Sequence, residues 1–124
     1  MRLLAFEAYL RLMQFDRYLS KGNFSAVYDV VRDCRQSSTV ASHDVVDRVC
    51  RAVNLACIWY WKEVLCLQRS AATAYLLKRY GVAATLVIGV QNLPFKAHSW
   101  VEVDGRVVND QPYLPNIYMV LDRC

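Results

Sequence analysis

No stretch of the 124-residue chain is apolar for long enough to cross a membrane. The longest run, Val53 to Trp61, falls far short of the ~20 residues a spanning helix needs. The N-terminus does not read as a signal peptide. Met1-Arg2-Leu3-Leu4-Ala5-Phe6 is followed at once by Glu7, Arg11 and Asp16, without an uninterrupted apolar core or a small-residue cleavage site. A cytoplasmic protein is the expectation. Cys-x-x-Cys pairs are absent, and neither histidine sits at finger spacing from a cysteine, so no metal or other cofactor is expected. Without a secretory signal, Cys34, Cys50, Cys57, Cys66 and Cys124 fit a reduced compartment. Internal repeats, low-complexity tracts and long linkers are also missing. The net charge is +4, with basic residues scattered among acids. That pattern speaks against nucleic-acid binding and mildly favours an acidic peptide.

What is present is apolar and periodic. Apolar residues make up 56% of the chain, and the length suits one domain with its own core. Residues 1–62 read as a helical part. Leu3, Leu4, Phe6, Tyr9, Leu10, Leu12, Met13, Tyr18 and Leu19 repeat at helical spacing, with Gly22 as a stop. A second helix is predicted over Ser25 to Cys34, and a third from Ser42 toward Ile58. Residues 63–124 read as a core of one central helix, from about Cys66 to Gly81, and strands. Ala83 to Val90 has the near-continuous apolar character of a strand buried on both faces. His98 to Val103 alternates, Asp104-Gly105 is a two-residue hairpin signal, and Val107 to Asp110 is predicted as the third strand. Tyr118 to Leu121 supplies a candidate edge strand. The fold class is α+β: N-terminal helices, a central helix opened by a cysteine, and a C-terminal antiparallel β-meander.

The order cysteine, helix, strand, histidine, hairpin, aspartate carries chemistry. A thiolate is the nucleophile, and a helix N-terminus favours negative charge there. Its free N–H groups also suit the oxyanion of a tetrahedral intermediate. Cys66 holds that position, with Arg69 one turn on. An imidazole must then move the proton, held by a carboxylate or amide. His98 and Asp110 are placed to meet across the hairpin. Taken singly, each residue has a plainer reading: a cysteine as a small hydrophobe, a histidine as a hydrogen-bonded strand residue, an aspartate as a turn former. His43 reads as a first-turn helix residue. Cys34, Cys50, Cys57 and Cys124 read as structural, and Trp59 and Trp61 as packing.

Four segments carry a family resemblance. Cys66-Leu67-Gln68-Arg69-Ser70-Ala71 opens a helix, and Ile88-Gly89-Val90 follows. Then come Pro94-Phe95-Lys96-Ala97-His98-Ser99-Trp100-Val101-Glu102 and Gly105-Arg106-Val107-Val108-Asn109-Asp110. Together they resemble the leader peptidases of lasso-peptide biosynthesis, the protease half of a split maturation protein, in the transglutaminase-like superfamily. Ser99 departs from the alanine common between the histidine and tryptophan. The resemblance implies a papain-like core and a catalytic triad of Cys66, His98 and Asp110. It implies a cysteine peptidase that removes the leader from a ribosomally made precursor. It also implies a separate leader-recognition protein and an ATP-dependent cyclase as partners. A transglutaminase-like acyl transferase and a non-enzymatic scaffold of the maturation complex remain the alternatives.

Overall fold

The computed structural model describes residues 2–34, 43–92, 95–110, 112 and 114–124. Ser42 and Pro94 lie outside the described residues. Three helices come first: α1 (Arg2–Ser20), α2 (Phe24–Asp33) and α3 (His43–Trp59). The apolar spacing of α1 buries Ala8, Leu12 and Phe15 and ends where Gly22 was placed as a stop. The N–H groups of Gly22 and Asn23 return to the carbonyls of Leu19 and Tyr18 at 3.0 and 2.8 Å, closing the last turn. Asn23 then caps α2, its side chain accepting from the Ala26 N–H.

Helix α4 (Cys66–Arg79) is the hub. It touches α1, α2 and α3 as well as the sheet. Its run of small residues explains how: Ser70, Ala71, Ala72 and Ala74 are buried and let neighbouring backbones approach closely, while Leu76 and Leu77 fill the space beyond.

The sheet follows. Strands β1 (Ala84–Asn92) and β2 (Phe95–Val103) pair antiparallel over their full length, with Val87 opposite Trp100 and Gly89 opposite His98. Asp104 and Gly105 both take positive φ, 54° and 75°, as a two-residue hairpin demands, and β3 (Arg106–Val107) returns beside β2. A short α5 (Leu114–Ile117) leads to β4 (Met119–Arg123), which pairs with β1 on the far edge. The order is β3-β2-β1-β4. The α+β architecture and the edge strand expected from the sequence are therefore present, and β1, β2 and β3 form the meander.

The alternation read in β2 separates two cores. Val101, with Leu86 and Ala84 of β1, faces the helices, whereas Trp100, with Val87 and Leu114, forms a second cluster on the other side. Two expectations need correction. The third strand stops at Val107, so Asp110 lies beyond it in irregular chain rather than on a strand. Trp59 and Trp61 are not core residues: they are 75% and 72% exposed, Trp59 at the end of α3 and Trp61 in the loop after it, where its ring meets Tyr60 and Lys62.

Candidate active site

Cys66 is the first residue of α4 and is partly buried. Its N-cap neighbour Leu65 has no side-chain acceptor and makes no side-chain cap bond to the helix. What fixes this helix start is Gln68. Its Oε1 accepts from the Leu65 N–H at 3.3 Å, and its Nε2 donates to the Leu12 carbonyl of α1 at 2.8 Å. The amide is buried, and its bond to Leu12 is protected from water. The position of Cys66 is thus set by the helix bundle.

His98 projects from β2, and its Nε2 lies 2.8 Å from Asp110 Oδ2. A carboxylate accepts, so Nε2 carries the proton and Nδ1 is left as the basic nitrogen. Arg69 Nη2 donates to the same Oδ2 at 3.3 Å and to the Asn109 carbonyl at 3.4 Å. Asn109 is fixed in turn. Its Oδ1 accepts from the Val101 N–H at 2.8 Å, and its Nδ2 donates to Ser70 Oγ at 3.0 Å. Ser70 Oγ donates to the Ser99 carbonyl, also at 3.0 Å. The chain that presents Asp110 is therefore stitched both to β2 and to α4. The structure brings His98 and Asp110 into direct contact and links Cys66 to them through its own helix, at Arg69 and Ser70.

Behind His98 stands an aromatic wall. The Tyr118 ring stacks on the imidazole, centroids 5.7 Å apart and planes 30° apart, and Trp100 lies 6.3 Å away. Trp100 Nε1 donates to Glu102 Oε2 at 2.8 Å, and Arg123 Nη1 donates to Oε1 at 2.9 Å. Burial pushes the Glu102 carboxyl up, but the bonds from Trp100 and Arg123 and the arginine charge hold it below its ordinary value.

The remaining cysteines are placed differently. Cys34 and Cys50 direct their thiols at the carbonyls of Tyr75 and Val108. Burial pushes the thiols of Cys34, Cys57 and Cys124 up, and that of Cys50 up to about 11. All four are poor thiolates at neutral pH. Cys66 instead lines an open cleft of about 400 Å³ with Cys57, Lys62, Glu63, Val64 and Arg69. A larger cleft, about 510 Å³, is lined among the described residues by Leu3, Leu4, Val45 and Val49 together with Arg48 and Tyr80, away from Cys66 and His98.

Gln68, Ser70 and Asn109 lay within the quoted motifs, but their roles were not legible: Gln68 and Ser70 act on backbone far away in the chain, and Asn109 acts with its side chain where a strand backbone was expected. Tyr118 was legible only as the start of the candidate edge strand, not as the ring stacked on His98.

A cysteine opens a central helix beside an antiparallel sheet, and a histidine of that sheet meets an aspartate from the irregular chain after β3, the residue types that thiol-based acyl chemistry uses. The chain belongs to the transglutaminase-like superfamily, whose family model matches residues 9–122. A segment of 47 residues is 51% identical to the microcin J25-processing protein McjB of Escherichia coli. That segment is 38% of this chain and 23% of the McjB sequence. No solved structure matches the chain.

Proposed function

We propose that the chain is a cysteine peptidase that removes the leader from a ribosomally made lasso-peptide precursor, with Cys66 as nucleophile, His98 as base and Asp110 orienting the base. The observation that carries this reading is the 2.8 Å bond between His98 and Asp110 beside the helix that Cys66 opens. Family membership and the half-identical segment shared with a microcin-processing protein support it.

In this reading the Cys66 thiolate attacks the scissile carbonyl. The oxyanion is held by N–H groups at the start of α4. Protonated His98 gives its Nδ1 proton to the leaving amine, which departs as the free N-terminus of the core peptide. Water, deprotonated by His98, then releases the leader as a carboxylic acid and restores the thiolate. Asp110 keeps Nε2 protonated throughout and stabilises the imidazolium. A separate protein that grips the leader, an ATP-dependent cyclase acting on the freed core, and a cytoplasmic setting belong to the same proposal.

The test is precursor incubated with wild type and with Cys66→Ala, followed by mass analysis of the products. Wild type should yield a leader ending in a carboxylic acid, and Cys66→Ala should yield none. An amide-linked leader would identify an acyl transferase instead. Equal cleavage by both proteins would remove Cys66 from the mechanism.

A further inference from the structure

Arg69 stands one turn beyond Cys66 on α4. Its guanidinium meets the same carboxylate oxygen that His98 holds, Asp110 Oδ2, at 3.3 Å, and also the carbonyl of the preceding residue, Asn109. The side chains of Arg69 and Asp110 are mostly withdrawn from solvent, 32% and 18% exposed, so water screens their attraction only in part. The Arg69 Nε–H is buried and has no hydrogen-bond partner among the described residues. A surface ion pair would not need that unfavourable arrangement; a guanidinium drawn inward to reach Asp110 does.

We propose that Arg69 is a positioning residue for the cysteine–histidine pair. It pins Asp110 against His98 and keeps a fixed cation between the nucleophile's helix and the base's carboxylate. This rests on the cysteine-peptidase reading above. The groups around the guanidinium are Cys50 and Cys57 of α3, Lys62 and Glu63 on the cleft wall, and Cys66, Asp110 and His98. Lys62 is already paired with Asp16 at 2.7 Å, on the side of α1.

Loss of the pin should lower kcat by roughly 100-fold with little change in KM, since Asp110 no longer holds the imidazole in one place.

The experiment compares wild type, R69Q and R69K on one precursor peptide, recording kcat, KM and the Tm of each. R69Q should show the lowered kcat at a near wild-type KM. R69K keeps the charge on a shorter side chain, so its kcat should fall only part of the way. An R69Q loss of rate that follows the loss of Tm, or that appears in KM instead of kcat, would make Arg69 merely structural and overturn the proposal. So would an R69K kcat as low as that of R69Q. Should R69Q fail to fold, R69K decides alone: a loss of kcat no larger than its loss of Tm explains overturns the pinning role. Cys66→Ala in the same assay separates the two claims. If it is inactive while the R69Q kcat is unchanged, only the role of Arg69 falls; if it is active, the peptidase reading falls.

Discussion

Asn109 Oδ1 accepts a hydrogen bond from the Val101 N–H at 2.8 Å, filling the place in the ladder that the Val108 carbonyl would take in a longer hairpin. Val108 still donates to the Val101 carbonyl at 3.0 Å, but its own carbonyl is turned toward α3, where it meets the Cys50 thiol. A side chain thus completes β2 while the backbone leaves the sheet. That departure lets the next residue, Asp110, reach back to His98.

Asn109→Ala should therefore disturb both the sheet and the site. The Val101 N–H and Ser70 Oγ each lose a partner, at a cost of about 1–3 kcal/mol for the orphaned N–H. Activity should fall by more than the lost stability explains, because Asp110 is freed with it. Chemical denaturation beside steady-state kinetics reads both effects. A variant with wild-type stability and kcat would show that the side chain holds nothing in place.

Loss of His98 should cost nearly as much as loss of Cys66, since His98 is the imidazole that Asp110 holds at 2.8 Å. Asp110→Asn should cost least, because an amide still holds the ring, and Asp110→Ala should fall between. The ranking is read from kcat/KM on one precursor. Near-normal turnover by His98→Ala would require a different base.

Thiol reactivity should separate the cysteines at neutral pH. Burial pushes the thiols of Cys34, Cys50, Cys57 and Cys124 up, so each should alkylate slowly in the native protein. Cys66, at the helix start and on the cleft, should react first with iodoacetamide and take activity with it. Peptide mapping at partial modification gives the order. If Cys50 or Cys57 is modified ahead of Cys66, the nucleophile assignment loses its chemical basis.

Legibility in the sequence followed locality. Periodicity marked α1 and α4, the β-branched run marked β1, and Asp104-Gly105 marked the hairpin, because each depends on neighbours along the chain. The pairing of His98 with Asp110 was legible for the same reason: twelve residues and one tight turn separate them. The end of β3 was not, since it is decided by Asn109 reaching Val101 and Ser70. Nor was the fate of the N-terminal aromatics. Phe15 is fully buried, while Phe6 and Phe24 are exposed, a difference set by which side of α1 and α2 meets α4. Gln68 gave no hint of its hold on Leu12, 56 residues away.

The Glu102 carboxyl gives a pH signature. In the folded protein it titrates below its ordinary 4.5, so folding favours the ionised form. Its contribution is full above 4.5 and is lost as pH falls through the lowered value. Glu102→Gln lacks that dependence. The gap in Tm between wild type and Glu102→Gln should be constant above roughly pH 5.5 and should narrow steadily below it. Parallel Tm curves down to pH 3 would mean that Trp100 and Arg123 do not stabilise the carboxylate.

Gly89 should tolerate no side chain. It lies opposite His98 in the register, and a Cβ there would stand 2.6 Å from Trp100 Cη2, 2.8 Å from Cζ3 and 2.8 Å from Tyr118 Cβ. The indole cannot retreat, being fully buried and tethered to Glu102. Tyr118 carries the ring stacked on His98, so any shift reaches the imidazole. Gly89→Ala should destabilise by about 1–3 kcal/mol and lower kcat as well. A double-mutant cycle isolates the cause. Trp100→Phe removes the atoms nearest the new methyl, so the double variant should lose less stability than the two single losses combined. Strictly additive losses would place the cost of a residue at position 89 elsewhere than against Trp100.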